Sequence, residues 1–260
     1  MRYHHATALV TGASSGIGRE FAATFAARGA NIVLAGRRVD RLDMLARRLR
    51  ESHGITVIVL EADFGRPRAA STLREELARR GIAVSIIINS AGLGATGAFA
   101  DSSIESINEQ IAVNVTALTE VTREFLPEVL ATGQGAIVNI ASLTGHQPTP
   151  NMAIYAATKA YVLSFTEALA YELRHAPVRV LALSPGPTRT EFYATSRTSE
   201  KGAQFQTPDQ VVATGLRALD ASRTPVRVVS GARNRLNLAI LRRLPRRTAL
   251  RILANATQAV

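Results

Sequence analysis

A glycine-rich segment near the N-terminus has the sequence Thr11-Gly12-Ala13-Ser14-Ser15-Gly16-Ile17-Gly18. It joins a short apolar run to a segment with helical periodicity. Gly12 permits a tight turn, Gly16 lets the backbone approach a phosphate, and Gly18 lets the helix pack closely on the strand. The helix N-terminus adds free N–H groups and a positive dipole. A plain turn is the alternative, but the pattern predicts a pyrophosphate-binding turn formed by Gly12, Ser14, Ser15, Gly16, Ile17 and Gly18.

Apolar runs and helical patterns alternate along the rest of the chain. The predicted strands are Thr7–Val10, Asn31–Ala35, Thr56–Leu60, Ser85–Asn89, Ala136–Ile140, Val178–Ser184 and Val226–Ser230. The predicted helices are Arg19–Arg28, Arg41–His53, Ala69–Arg80, Ala112–Leu130, Met152–His175 and Asp209–Leu219. This alternation indicates parallel βαβ units, and the continuous apolar strands indicate a sheet covered on both faces. We predict an α/β fold: a single doubly wound Rossmann-type domain over residues 1–232, with a parallel seven-stranded sheet and helices on both faces.

Composition excludes several classes of site. The 260 residues include no cysteine, which rules out disulfides, thiolate metal sites and cysteine nucleophiles. No signal peptide is visible at the N-terminus. Two uncharged stretches, 81–100 and 129–158, are interrupted by polar residues, glycines or prolines, so they fit buried strands and loops better than membrane spans. We expect a cytoplasmic protein.

The formal net charge of +11 is concentrated near the C-terminus. From Arg223 to Val260 there are nine arginines and no acidic residue. Residues 233–260 form a predicted basic, amphipathic helical extension of two segments around Pro245. Its apolar side could pack on the substrate side of the body, on a second subunit, or weakly on an anionic membrane. An acidic partner or a solvated helix face would also account for the charge. Nucleic acid is not expected, because no aromatic stacking platform accompanies the charge.

The end of the second strand bears on cofactor choice. An acidic residue there would bind the ribose 2′-hydroxyl of NAD. This chain instead has Gly36-Arg37-Arg38, with no acid before Asp40. A guanidinium suits a 2′-phosphate, because it always carries charge and donates two parallel hydrogen bonds. We predict NADP(H) as the cofactor, bound by Arg37 and Arg38 with Arg37 as the stronger candidate; a solvated loop is the alternative.

Tyr155 and Lys159 are four positions apart in a helical pattern and share a helix face. A free phenol has a pKa near 10, and a neighbouring ammonium lowers it towards the working pH. The chain has only two lysines against 29 arginines, which suggests that this lysine has a role arginine cannot fill. Ser142 follows the fifth strand, where it could be a turn residue or a donor to a substrate oxygen. Asn114 is an unusual mid-helix residue that could face solvent or accompany a kink.

Together these residues resemble the short-chain dehydrogenase/reductase family. The resemblance covers roughly Thr7 to Thr190, in order and at the family's spacing. Its elements are Thr11-Gly12 through Gly18, Asp63, Asn89-Ser90-Ala91-Gly92, Asn114, Ser142, Tyr155 with Lys159, and Pro185-Gly186 with Thr188. One departure is Ser90, because the family usually has Asn-Asn-Ala-Gly there. A small polar residue should preserve the turn.

The resemblance implies a hydride transfer between nicotinamide and a small-molecule carbonyl or alcohol. Tyr155 would be the general acid in reduction and the base in oxidation, and Ser142 would polarise the substrate carbonyl. Lys159 would also hold the nicotinamide ribose, and Asn114 would hold a relay water behind it. A non-catalytic NADP(H)-binding protein or a membrane-peripheral protein is the alternative, although the complete set of four residues argues against a non-catalytic protein.

The resemblance also assigns the remaining cofactor contacts. Asp63 would contact the adenine region and Thr188 the carboxamide. Arg37 matches the position of the basic residue in NADP(H)-preferring members. Further residues lining the cofactor would be Asn89, Ala91, Gly92, Pro185 and Gly186. The substrate loop is expected from Pro185 to about Gln206. His146, shortly after Ser142, could line the pocket, but it is predicted to be a loop residue and not a catalyst. A homodimer or homotetramer is expected through the helices Ala112–Leu130 and Met152–His175.

Overall fold

The structure, a computed structural model, describes residues 3–257. Residues 1–2 of the predicted domain and residues 258–260 of the predicted C-terminal extension lie outside the described residues. Seven strands form one sheet in the order β3-β2-β1-β4-β5-β6-β7, and every neighbouring pair is parallel. The strands are β1 Thr7–Thr11, β2 Asn31–Gly36, β3 Val57–Glu61, β4 Ile86–Asn89, β5 Gly135–Ile140, β6 Val178–Ser184 and β7 Arg227–Val229. The predicted seven-stranded doubly wound sheet is confirmed.

Helices cover both faces of this sheet. They are α1 Gly16–Ala27, α2 Val39–His53, α3 Ala69–Arg79, α4 Ile104–Ile111, α5 Leu118–Ala131, α6 Ala153–Glu172, α7 Phe192–Ser196, α8 Pro208–Asp220, α9 Ala232–Arg243 and α10 Arg246–Ala256. Successive strand residues enter opposite cores: Val10 packs with Phe21 and Phe25 of α1, whereas Leu9 packs with Phe125 of α5. Burial on both faces explains why the strands are continuously apolar.

The predicted helix Ala112–Leu130 is wrong in its start and its continuity. The helical chain begins eight residues earlier, at α4, where the Ser103 side chain accepts a hydrogen bond from the backbone N–H of Ser106. A π-helical turn, Ala112–Ala117, then separates α4 from α5. Such turns inside helices often accompany functional residues. The short helix α7, inside the expected substrate loop, was not predicted.

Helices α9 and α10, here called the C-terminal pair, fold back onto the body of the protein. They are separated at Leu244 and Pro245, the expected break. The Asn151 side chain donates to the carbonyl of Thr257 at 2.8 Å, and the Thr257 hydroxyl donates to the carbonyl of Pro150 at 2.7 Å. The pair therefore packs beside the segment that precedes α6. Within residues 3–257, no helix combines the length and hydropathy needed to cross a bilayer.

Candidate active site

The carboxyl ends of the strands open into a cleft of about 1070 Å³. Its walls are the turn after β1, the loops after β4, β5 and β6, and the C-terminal pair. This is where doubly wound sheets bind ligands. The predicted residues that line it are Gly12, Ser14, Ser15, Gly16, Ile17, Arg37, Arg38, Asp63, Ala91, Gly92, Ser142, Tyr155, Lys159, Pro185, Gly186 and Thr188. Three predicted residues, Gly18, Asn89 and Asn114, lie behind this lining.

The turn after β1 is locked against the loop after β4. The Thr11 hydroxyl accepts hydrogen bonds from the backbone N–H groups of Ser90 and Ala91, both at 3.0 Å. Gly12 has φ +66°, and a Cβ added there would lie 2.8 Å from the Ala91 backbone. A Cβ on Gly18 would lie 2.6 Å from the carbonyl oxygen of Gly12. The close approach therefore requires glycine at both positions.

Thr190, which the sequence analysis missed, covers this turn from the loop after β6. A Cβ added to Gly16 would lie 2.9 Å from the Thr190 methyl group. The predicted residue Thr188 instead donates its hydroxyl to the carbonyl of Gly186 at 2.8 Å, within its own loop. The two threonines are two residues apart, so a search for polar side chains along the whole loop could have found Thr190.

Arg38, rather than Arg37, contacts the glycine turn after β1. Its Nε and Nη2 atoms donate to Ser14 Oγ at 3.1 and 2.9 Å, and Nη2 also donates to Ser15 Oγ at 2.8 Å. Arg37 lines the cleft but extends to Glu109, with 3.3 Å between Nη1 and Oε1 and more than half of its side chain exposed. Both arginines therefore line the cleft, and Arg38 is the one that reaches the serines of the glycine turn.

Glu191 crosses the cleft to these arginines and was also missed. Its carboxylate accepts from Arg38 Nη1 at 2.5 Å and from Arg41 Nη1 at 2.6 Å. The hydrogen bond from Arg38 holds the pKa of Glu191 below its usual value. An anionic group thus already lies against the arginine pair, as expected at a site suited to negative charge.

Tyr155 and Lys159 lie in the first turns of α6, both nearly buried. Lys159 Nζ donates to the carbonyl of Ile140 at 2.8 Å and lies 5.8 Å from the centroid of the Tyr155 ring. Ser142, directly after β5, accepts from Thr144 N at 3.2 Å and Thr144 Oγ1 at 3.0 Å. The ring of Phe192 packs against Tyr155 with centroids 5.1 Å apart. The cleft therefore brings together a phenol, an ammonium and a hydroxyl.

Burial dominates the ionisation of this group. It raises the pKa of Tyr155 to about 12, while the hydrogen bond with Ser142 acts in the opposite direction. It also lowers the pKa of Lys159 to about 8. The predicted lowering of the phenol pKa by Lys159 is wrong for the chain on its own, because desolvation penalises the phenolate more than its surroundings stabilise it. The phenol is therefore protonated at neutral pH and able to donate.

Asn114 is fully buried in the π-helical turn, so the solvent-facing alternative is wrong. Its Oδ1 accepts from the N–H of Leu93, and its Nδ2 donates to the carbonyl of Leu93, both at 2.8 Å. Nδ2 also donates to Thr158 Oγ1 at 3.0 Å. The side chain thus joins the loop after β4 to α6, one residue before Lys159.

Asn89 and Asp63 have supporting contacts as well. Asn89 is buried, and its Nδ2 donates to Thr122 Oγ1 and Asn139 Oδ1, both at 2.9 Å. These bonds join the end of β4 to α5 and β5, and Asn89 does not line the cleft. Asp63 lines the cleft beyond β3, where its Oδ1 accepts from the N–H of Gly65 at 3.0 Å.

His146 ends a short 3-10 helix, Leu143–His146, and connects it with the C-terminal pair; it does not line the cleft. Its Nε2 lies 2.9 Å from Ser184 Oγ, and its Nδ1 lies 3.1 Å from Arg242 Nη2. Since arginine can only donate, Nδ1 accepts and Nε2 carries the proton. Burial, followed by the charges of Arg242 and Arg227, lowers the pKa of His146 to about 4. His146 is therefore neutral at physiological pH.

Residues 6–201 match the family model described as short chain dehydrogenase. A short-chain dehydrogenase from Sphingobium yanoikuyae, solved with NADPH, is 34% identical, with a TM-score of 0.79 over 92% of this chain and 96% of that chain. The bulky-bulky ketone specific alcohol dehydrogenase from Comamonas testosteroni is 33% identical, with a TM-score of 0.77 over 91% of this chain and 92% of that chain. A short chain dehydrogenase/reductase from Burkholderia phymatum, solved with NAD, is 25% identical (TM-score 0.82; coverage 100% and 99%).

Proposed function

The chain belongs to the short-chain dehydrogenase/reductase family, and from that premise we propose that it is an NADP(H)-dependent oxidoreductase acting on a carbonyl or alcohol carbon. The observation that carries the proposal is a single cleft that joins a glycine turn and its arginine at one end to Tyr155, Lys159 and Ser142 at the other. When bound, the nicotinamide would supply or accept the hydride. The protein would position the reactants and move the proton.

In reduction, the protonated phenol of Tyr155 donates its proton to the substrate oxygen, consistent with a pKa raised to about 12. Ser142 donates a hydrogen bond to the same oxygen. Lys159 keeps two of its three N–H groups free of the Ile140 carbonyl, and they would hold the ribose hydroxyls of the cofactor. Asn114 acts through its bonds to Leu93 and Thr158, which fix the loop and the helix on either side of Lys159.

The preference for NADP(H) rests on the arginine at the turn. The end of β2 presents no acidic side chain to a ribose hydroxyl, and Arg38 reaches both Ser14 and Ser15. Its planar fork suits a 2′-phosphate, and Arg41 lies beside it on the same carboxylate. Thr190 closes over Gly16, where the pyrophosphate would lie. The residues present therefore fit the cofactor.

Fluorescence titration with NADPH and NADH tests the cofactor proposal on the wild type and on Arg38→Ala, Arg37→Ala and Arg48→Ala. Losing charged hydrogen bonds of about 1.5–3 kcal/mol should weaken NADPH binding roughly 10- to 100-fold in Arg38→Ala. NADH binding should change little. Arg48, exposed on α2 away from the cleft, is the control. Equal affinities for NADPH and NADH in the wild type would refute the NADP(H) preference.

The substrate proposed is a carbonyl or alcohol with an apolar body. Beyond Tyr155, the cleft is lined by Phe192, Tyr193 and Phe205 from the substrate loop and by Leu238 and Leu241 from α9. The relative from Comamonas testosteroni acts on bulky ketones, which accords with this lining. Kinetics on ketones of increasing apolar size should show kcat/KM rising with size. A preference for small polar aldehydes would contradict it.

A homodimer or homotetramer is also proposed, through the exposed face of the helices around the π-helical turn and α6. Ile104, Ile111 and Tyr161 are exposed there, at 66%, 41% and 38%. Covering such side chains removes apolar surface from water. Light scattering should show an oligomer that Tyr161→Glu dissociates. A monomeric wild type would contradict this.

A further inference from the structure

The outer face of the C-terminal pair is strongly basic. The arginines of the pair, all of them exposed, are Arg233, Arg235, Arg242, Arg243, Arg246, Arg247 and Arg251, and no acidic residue follows Asp220 in the sequence. Across residues 3–257, no carboxylate forms an ion pair with any of them. Three bond to neutral groups of the body: Arg233 to Gln204, Arg235 to the carbonyl of Val229, and Arg242 to His146. The positive charge is therefore not neutralised within this part of the molecule.

Apolar side chains lie among these arginines. Leu236 and Ile240 are 61% and 48% exposed on α9, although Leu238 on the opposite side is buried. They are four residues apart and share a helix face. Arg233 precedes Leu236 by three residues, and Arg243 follows Ile240 by three, so the apolar stripe has a cation at each end. Long arginine side chains can extend from such a stripe towards polar headgroups.

This exposed stripe is continuous with the mouth of the cleft. Ile240 and Ile252, on α9 and α10, both line the cleft while being 48% and 46% exposed. Leu244 and Leu253 continue the apolar wall inward. A molecule moving from the outer face of the pair into the cleft would therefore remain in contact with apolar side chains.

We propose that the outer face of the C-terminal pair docks on an anionic lipid surface and holds the cleft mouth against it, so that an apolar carbonyl substrate enters from the bilayer. The substrate-entry half rests on the proposed function; the docking half does not. Charge complementarity selects the occupant: a second copy docked face to face would oppose two sets of unpaired arginines. Nucleic acid would use the arginines but not the exposed leucine and isoleucine.

Co-sedimentation tests docking, using vesicles of phosphatidylcholine alone or mixed with phosphatidylserine. The tail variant carries Arg243→Gln, Arg246→Gln, Arg247→Gln and Arg251→Gln, none of which lines the cleft. The charge-matched control carries Arg47→Gln, Arg48→Gln, Arg174→Gln and Arg223→Gln, all exposed elsewhere. Circular dichroism melting checks that both variants fold. We expect the wild type to bind only the anionic vesicles, with binding reduced at high salt.

The tail variant should lose at least tenfold in partition coefficient, and the control less than twofold. Leu236→Gln, which removes apolar area without changing charge, should lose at least threefold. Absence of wild-type binding to anionic vesicles, or equal losses in the tail variant and the control, would overturn the docking proposal. Full binding by Leu236→Gln would also overturn it. Binding that needs only the arginines would occur with any polyanion and would not require a lipid surface.

Kinetics with NADPH test substrate entry, comparing a long-chain ketone dissolved in the anionic vesicles with cyclohexanone in solution. The tail variant should lose at least tenfold in kcat/KM for the vesicle-borne ketone and keep its value for cyclohexanone. Equal effects on the two ketones, or none on either, would overturn entry from the bilayer. If the wild type reduces neither ketone, the proposed function fails, while the sedimentation result still decides whether the surface docks.

Discussion

Lys159→Met is expected to stabilise the fold at neutral pH while abolishing turnover. Lys159 is only 4% exposed, and within residues 3–257 its ammonium donates one hydrogen bond, to the carbonyl of Ile140. Burial lowers its pKa from 10.5 to about 8. Below pH 8 the lysine is protonated in both states, and the folded chain bears the cost of a buried ammonium. That cost is about 3 kcal/mol, at roughly 1.4 kcal/mol for each pKa unit.

The difference in stability between Lys159→Met and the wild type should depend on pH. Between pH 8 and 10.5 the unfolded chain binds more protons than the folded chain, so the stability of the wild type rises with pH. Methionine cannot titrate, so the variant lacks this rise. Its stability advantage over the wild type should therefore shrink by about 2–3 kcal/mol from pH 7 to pH 10. The difference in packing between methionine and lysine is the same at both pH values, so it does not affect this change.

Urea unfolding of the wild type and Lys159→Met at pH 7 and pH 10 measures this change. Burial also raises the pKa of Tyr155 and Tyr3, which lowers stability above pH 10, but both proteins contain these tyrosines. Lys201→Met, which replaces the chain's only other lysine at an exposed position, is the control and should show a constant difference from the wild type. A stability gap for Lys159→Met that is equal at both pH values would refute the reasoning.

Three further outcomes are expected. Tyr155→Phe should lower kcat by about 10²–10⁴-fold with NADPH affinity unchanged, and activity within tenfold of the wild type would place the proton donor elsewhere. Gly94→Ala would put a Cβ 2.5 Å from the Phe192 ring, so kcat/KM for bulky ketones should fall at least tenfold; unchanged kinetics would show that the ring is free to move. His146 has a folded-state pKa of about 4, below its unfolded value, so wild-type stability should fall as pH drops from 6.5 to 4. His146→Gln should lack that fall of about 1–2 kcal/mol, discounted for partial exposure, in melting curves at pH 7 and 4.5; equal losses in both proteins would exclude the histidine as the cause.

The sheet could be predicted because its physical cause is local to each strand. A strand covered on both faces must be apolar at every position, and such runs are visible in the sequence; each observed strand boundary lies within one residue of its prediction. The ends of strands and the glycine turn then follow from chain order. The helix around Asn114 was mispredicted, because its π-helical turn accompanies bonds from Asn114 to Leu93 and Thr158, 21 and 44 residues away.

The end of the cleft at the glycine turn also depends on contacts between residues that are distant in the sequence. Arg37 and Arg38 are equivalent in sequence, and only the fold shows that Arg38 reaches Ser14 while Arg37 turns to Glu109. Glu191 lies 153 residues from Arg38, and no spacing rule connects them. Thr190 was overlooked because it covers the turn at Gly16, a residue that has no side chain. Residue types and strand ends could be predicted, but partners across the cleft could not.

The use of lysine at position 159, in a chain that otherwise relies on arginine, follows from the dimensions and chemistry of the buried site. A guanidinium has five N–H donors and does not lose its charge in proteins, so burial here would leave most donors unpaired. An ammonium has three donors: one is satisfied by Ile140, and two remain for a ligand. Burial also lowers its pKa from 10.5 to about 8. The 29 arginines lie mostly where water or a carboxylate meets them, whereas Lys159 is 4% exposed. Burial and the number of donors therefore account for lysine, and not arginine, at position 159.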